Sequence, residues 1–175
     1  MFSLSRAALS ILLCAFCLAA QTGAPKERLV DWHTPAVACS LLNDIGIKTR
    51  GYKNDPEWKP SEYFCSSPYT SIDERFRLEL FIAYYVDGSR DTTRQLKLVM
   101  SIHDPRVVDL GLAALAVAAD TLTRRVTGSG ISDEIGKSVL SGTAGKWKLA
   151  GRDIEIQREN YRVGVCCYDL SFIIR

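Results

Sequence analysis

Histidine is scarce in this chain, with two in 175 residues, and methionine is as scarce. So little imidazole leaves almost no material for a histidine-rich metal centre or for acid–base catalysis by histidine. An excess of one charge is also lacking: 22 Lys and Arg stand against 20 Asp and Glu, a formal net charge of +2. A balance this close excludes a protein that works through a strong field on nucleic acid or an anionic membrane. Low-complexity tracts are missing, and past residue 20 no apolar run approaches the roughly 20 residues that span a bilayer. What is present is an ordinary globular composition, 47% hydrophobic and 24% charged, enough for one packed core.

The first twenty residues read as an export signal. Met1 to Arg6 carries one positive charge, and Ala7 to Ala20 is uncharged, mostly apolar and ends in small residues. Gln21, Thr22, Gly23 and Pro25 stop the run too early for a stable membrane anchor. Cys14 follows Leu13 and Cys17 follows Phe16, so neither has the small preceding residue of a lipidation site. Cleavage after Ala20 removes both and leaves Cys39, Cys65, Cys166 and Cys167. An even number in an exported chain reads as disulfides. Cys39 with Cys65 is the simplest pairing, and the state of the adjacent Cys166 and Cys167 stays open. No Cys-x-x-Cys survives among the four, which argues against a redox enzyme, and no ligand pair has zinc-site spacing. No metal and no cofactor is expected.

Residues 21–34 have no sustained period and read as an extended lead-in to a single α+β domain over 35–175. Thr34 as N-cap and Pro35 in the first turn predict a helix that ends at Gly46. Residues 48–72 read as a long connection with three prolines, five aromatics and one short strand around Tyr63 to Cys65. Strict alternation predicts a strand over Arg75 to Asp87 and a second over 95–102, paired as a hairpin with its loop near 87–93. Asp104-Pro105 starts a helix that runs to Val126, where Gly128 and Gly130 end it. Gly111 and the many alanines of that helix suit close approach to a sheet. Ser132 caps a shorter helix that Gly142 ends. Strands follow at 146–149 and around Ile154 and Ile156, with turns at Ala150-Gly151 and Glu159-Asn160. Val163 and Val165 share one parity; Tyr168, Leu170, Phe172 and Ile174 share the other. A bulge at Cys166-Cys167 would bring both sets to one face. The fold class is α+β, an antiparallel sheet packed by helices, and the element order allows two helix-plus-three-strand halves.

Enzyme motifs fail in turn. Gly145-Lys146 lacks the first glycine and the Ser/Thr of a phosphate loop, and no nucleophile elbow or Ser-x-x-Lys pair exists. His103-Asp104 reads as a strand end followed by a helix cap. His33 sits beside Trp32 with no evident partner. Asp73-Glu74 reads as a solvated turn. The aromatic segment over 48–72 is the better candidate: Tyr52, Trp58, Tyr63 and Tyr69, interleaved with Lys53 and Lys59, are residue types that bury large area at binding surfaces. The competing reading has them covering the sheet edge and the Cys39–Cys65 bridge.

Ala38-Cys39-Ser40-Leu41-Leu42-Asn43, Tyr63-Phe64-Cys65-Ser66-Ser67-Pro68-Tyr69, Ala83-Tyr84-Tyr85-Val86-Asp87-Gly88, Leu96-Lys97-Leu98-Val99 and Gly145-Lys146-Trp147-Lys148-Leu149 occur in this order. The set resembles a family of small exported bacterial proteins of uncharacterised activity. The resemblance implies a periplasmic setting and carries over no site residues. Together these readings predict a periplasmic or secreted, non-enzymatic module that binds a protein or envelope component. A cell-envelope hydrolase using unidentified carboxylates is the alternative.

Overall fold

The computed structural model describes residues 29–55, 59–76, 79–161 and 167–175. The segment read as an export signal, Trp58, Cys166 and the bulge expected at Cys166-Cys167 lie outside the described residues. Among the described residues three helices, α1 (Pro35–Ser40), α2 (Val108–Thr127) and α3 (Asp133–Ser141), accompany eight strands. The strands are β1 (Lys53–Asp55), β2 (Lys59–Ser66), β3 (Thr70–Ser71), β4 (Leu80–Gly88), β5 (Thr93–Ile102), β6 (Gly145–Leu149), β7 (Arg152–Asn160) and β8 (Tyr168–Ile174). They form one sheet in the order β1-β2-β4-β5-β8-β7-β6, with β3 paired to β4, and every pairing is antiparallel.

This order is two three-stranded meanders, β2-β4-β5 and β6-β7-β8, joined at their last strands. The joint is in register from Leu96↔Ile174 to Ile102↔Tyr168. The α+β class stands, but the expected division into two helix-plus-three-strand halves does not hold as stated: the first half carries β1 and β3 besides its meander, and the second carries two helices.

Period-two alternation sets the core. Leu80, Ile82, Tyr84 and Val86 of β4, Leu96, Leu98, Met100 and Ile102 of β5, and Leu170, Phe172 and Ile174 of β8 are buried on one face. The α2 stripe Leu112, Leu115, Ala119 and Leu122 packs against it. Gly111 allows this approach: a Cβ there would stand 2.7 Å from Leu80 Cδ1. Asp104 caps the helix start as its position predicts, accepting the Arg106 N–H at 2.8 Å, and the chain enters α2 through a 3₁₀ turn over Pro105–Val107. Gly128 and Gly142 close α2 and α3 in left-handed conformations.

The Cys39–Cys65 disulfide is present and ties α1 to β2. Tyr84 adds a second tie, its buried hydroxyl donating to the Ala38 carbonyl at 3.0 Å. Among the described residues no helix is long and apolar enough to cross a membrane.

Several expectations need correction. The first helix ends at Ser40, and a separate 3₁₀ turn over Asn43–Ile45 leads to Gly46. Thr34 stands at the N-cap position as expected, but its hydroxyl donates to Asp31 and makes no cap hydrogen bond. The strand expected from Arg75 starts at Leu80, since Glu74–Phe76 form a 3₁₀ turn. The strand expected to turn at Glu159-Asn160 continues through Asn160, paired with Tyr168. Residues 48–72 are largely strand, a β1–β2 hairpin plus β3, because pairing to β4 overrides the local proline signal. Trp32, read as lead-in, is a core residue at 2% exposure with the Arg152 guanidinium over its ring. His33 has partners: its ring lies against Trp32, and its carbonyl accepts the Thr93 N–H at 2.9 Å.

Candidate functional site

The sheet register builds a second face from the alternate residues. Cross-strand partners share a side, so each transverse row can be read across β4, β5, β8 and β7. The first row is Phe81, Ser101, Asp169 and Glu159. The next is Ala83, Val99, Ser171 and Gln157. The third is Tyr85, Lys97, Ile173 and Glu155, continued by Lys146 on β6. Among the described residues no helix packs on this face.

The middle row is short over β4, β5 and β8, its neighbours are tall, and Gln157 on β7 stands up as a wall. Ala83, Val99 and Ser171 are buried at 0%, 5% and 6% exposure although no helix covers them. Shielding by the longer side chains on either side accounts for that burial. The result is a furrow with a floor of small residues. Its surface holds adjoining hollows of about 300, 320 and 600 Å³. Tyr69 lines both the first and the second, and Lys97, Glu159 and Ser171 line both the second and the third.

The two ends of the furrow differ in chemistry. At one end Tyr69, Phe81, His103 and Tyr161 surround the 300 Å³ hollow, with Ser101 in its lining. Successive rings meet edge to face: Tyr69 and Phe81 at 79°, Phe81 and His103 at 71°, His103 and Tyr161 at 87°. The Tyr161 hydroxyl donates to the Asp169 carboxylate and lies 3.4 Å from His103 Nε2. Burial, and then the Asp169 bond, push the Tyr161 phenol up to about 12, so it stays a neutral donor. Burial and the hydrogen bond to Tyr69 likewise raise Tyr85.

At the other end the side chains pair among themselves. Arg175 Nη1 donates to Glu155 at 2.5 Å and its Nε to Gln95 at 2.8 Å, while Lys146 Nζ lies 3.1 Å from Glu155. The Arg175 bond first, then those from Gln157 and Lys146, hold Glu155 down to about 2. Its carboxylate is therefore a fixed anion that links β6, β7 and the residue that follows β8, unsuited to accepting a proton near neutrality.

Comparison with protein families, curated proteins and solved structures finds no match to this chain. Chemistry must therefore be read from the geometry alone. Cys167 Sγ donates to the His103 backbone carbonyl at 3.1 Å, and among the described residues no group of three or more His, Cys, Asp or Glu is placed to hold a metal. Ser101 and His103 are neighbours on one strand face, but Tyr161 occupies the bonding position beside the histidine.

The aromatic candidates from the sequence separate. Tyr52 and Tyr63 stack at 6.0 Å on the helix side of the sheet edge, where the Tyr52 hydroxyl donates to the Ser89 carbonyl at 2.8 Å. Burial pushes Tyr52 up to about 12. These two seal the hairpin. Tyr69 alone of the described candidates stands on the open face, 55% exposed. The residues that join it there, Phe81, Tyr85, His103, Tyr161 and Asp169, come from separate segments. Their available sequence signal was aromatic residues on the strand parity that alternation assigns to solvent, Phe81 and Tyr85 above all.

Proposed function

We propose that the protein is an exported, non-enzymatic binding module that takes a protein or envelope partner into the furrow on the helix-free face. The observation that carries this reading is the furrow itself: a floor of small buried residues on three paired strands, β4, β5 and β8, with aromatic side chains raised at one end and paired charges at the other. Interfaces of this kind favour rigid aromatics around a partly buried centre, because little side-chain entropy is lost on contact. The apolar segment at residues 7–20 and the Cys39–Cys65 bridge support an oxidising, periplasmic or secreted location. No cofactor enters this function.

The hydrolase reading asks for two carboxylates converging in a deep pocket. Glu159 and Asp169 are cross-strand partners, but they flank an open furrow, and Asp169 is engaged by Tyr161. Binding is therefore the better account. The test is capture from periplasmic extract by the immobilised protein, comparing wild type with a Tyr69→Ala, Lys97→Glu double variant. Both side chains line the furrow and neither belongs to the core. Loss of a captured partner with an unchanged thermal melt supports the reading. Undiminished capture by the double variant rejects it.

A further inference from the structure

Three aromatic faces elsewhere among the described residues are matched by the protein's own cations. Arg152 lies over Trp32 at 5.1 Å, Arg158 over Tyr168 at 3.7 Å and Arg75 over Phe76 at 5.6 Å. The aromatic cup of the open face differs. Among the described residues no Lys or Arg lies over the rings of Tyr69, Phe81, His103 or Tyr161.

The cup is nevertheless built as a cation site is built. Ring planes at 71–87° to one another form the walls of a box rather than a flat stack. The negative π-faces of such a box attract an ammonium group and accept its methylene neighbours at the same time. Asp169 strengthens the effect in two ways. It supplies a formal negative charge beside the cup, and by accepting a hydrogen bond from the Tyr161 hydroxyl it enriches that ring in electrons. The adjoining hollow is acidic: Asp87, Glu159 and Asp169 line it against one cation, Lys97. The hollow of about 300 Å³ is at the small end of ligand pockets and admits a group the size of a side chain.

We propose that this cup receives an alkylammonium group, and specifically the lysine side chain of a partner protein. A peptide source fits better than a lipid headgroup because the cup opens, through Tyr69, into a furrow that crosses the sheet and can hold the flanking chain. The proposal rests on the binding reading above and names what the aromatic end of the furrow recognises.

The experiment is an NMR titration of the purified protein, read at the aromatic resonances of the cup. The probes are an acetyl-Gly-Lys-Gly amide peptide, its norleucine and Nε-acetyl-lysine counterparts, a chitooligosaccharide, and phosphatidylcholine vesicles. The lysine peptide should shift the resonances of Tyr69, Phe81, His103 and Tyr161 and bind at least about tenfold more tightly than either neutral peptide. Tyr69→Ala removes an exposed wall, and Asp169→Asn keeps a hydrogen-bond acceptor while removing the charge. Each should weaken the lysine peptide about threefold to tenfold, with the melt unchanged for Tyr69→Ala. Equal binding of the norleucine peptide would make the cup a plain apolar slot and overturn the proposal. Binding of the vesicles or the oligosaccharide without the lysine peptide would overturn it as well. A silent cup alongside partner capture that still depends on Lys97 rejects the lysine site and leaves the furrow as a binding surface. Loss of both rejects the two together.

Discussion

The two faces of the sheet are made by alternate residues of the same strands, and they have been given opposite tasks. On the helix side β4, β5 and β8 present Leu, Ile, Tyr, Val, Met and Phe to α2 and lose nearly all exposure. On the other side the same strands present Ala83, Val99 and Ser171 between rows of longer polar and aromatic groups. A face meant only for solvent would carry Lys, Glu and Thr throughout. This one keeps a low floor and raises Tyr69, Phe81, His103 and Tyr161 at one end, although no helix is there to receive them. One face therefore supplies cohesion. Shape and ring chemistry on the other are available to something outside the fold.

That contrast can be broken by substitution. The largest effect is expected at Phe172, fully buried on the helix side. Phe172→Ala should cost about 3–5 kcal/mol in chemical denaturation, from lost transfer energy plus a residual cavity. A cost below 1 kcal/mol would mean the core does not sit where the sheet and α2 place it.

Removing the bridge by a Cys39→Ala, Cys65→Ala double substitution should cost about 2–4 kcal/mol, because the closed loop no longer restricts the unfolded chain. The bond spans 26 residues and lies away from the furrow, so partner capture should persist wherever the variant is folded. Loss of capture with an intact fold would link the two regions that the comparison separates.

Gly111→Ala sharpens the comparison at the helix–sheet contact. The added methyl meets Leu80 and Ile102, with the nearest atom at 2.7 Å. Overpacking of about 1–3 kcal/mol should follow, read as a lower melting temperature. A stabilised variant, as helix propensity alone would predict, would show that α2 can lift from the sheet.

Smaller effects belong to the open face. Glu155 is held down to about 2 from an ordinary 4.5 by Arg175, Gln157 and Lys146. A depressed carboxyl contributes stability that is complete above the unfolded value and is lost as pH falls toward the folded one. Wild type should therefore lose stability between about pH 4.5 and pH 2, and Glu155→Gln should lose less over that window. Parallel acid titrations followed by circular dichroism would show it, and superimposable curves would remove Glu155 from the account. Smallest of all, Gln157→Ala, on the exposed wall of the furrow, should stay within about 0.5 kcal/mol of wild type.

Much of the helix side was legible in the sequence, because local rules coincide with the global fold there. Alternation along 80–102 gave the buried parity, Asp104-Pro105 gave the start of the long helix, and Gly128 and Gly142 gave helix ends. The Ala150-Gly151 turn was equally plain, and both residues adopt the positive φ that a tight hairpin requires. The Cys39–Cys65 pairing was the simplest of three once an export signal was expected to remove Cys14 and Cys17.

The β1–β2 hairpin was hidden for a physical reason. Pro60 within β2 argues locally against a strand, yet it lies in the stretch that precedes the β4 pairing, which begins at Tyr63. Near a sheet edge a missing N–H is tolerated. The furrow was hidden for another reason. Phe81, His103, Tyr161 and Asp169 lie on different segments and meet only through the β4–β5–β8–β7 register, which one sequence does not display. His103 was read as a strand end before a cap. Asp104 is that cap, while His103 also stands as a wall of the cup.

The central claim is that the helix-free face engages a partner and the helical side does not. Site-specific photo-crosslinking in the producing cell tests it most directly, with a benzophenone amino acid placed at Gln157 on the furrow wall or at Val117, 67% exposed on α2. The account predicts a discrete crosslinked species from position 157, abolished by the Tyr69→Ala, Lys97→Glu background, and none from position 117. The same species from Val117, with none from Gln157, would contradict it.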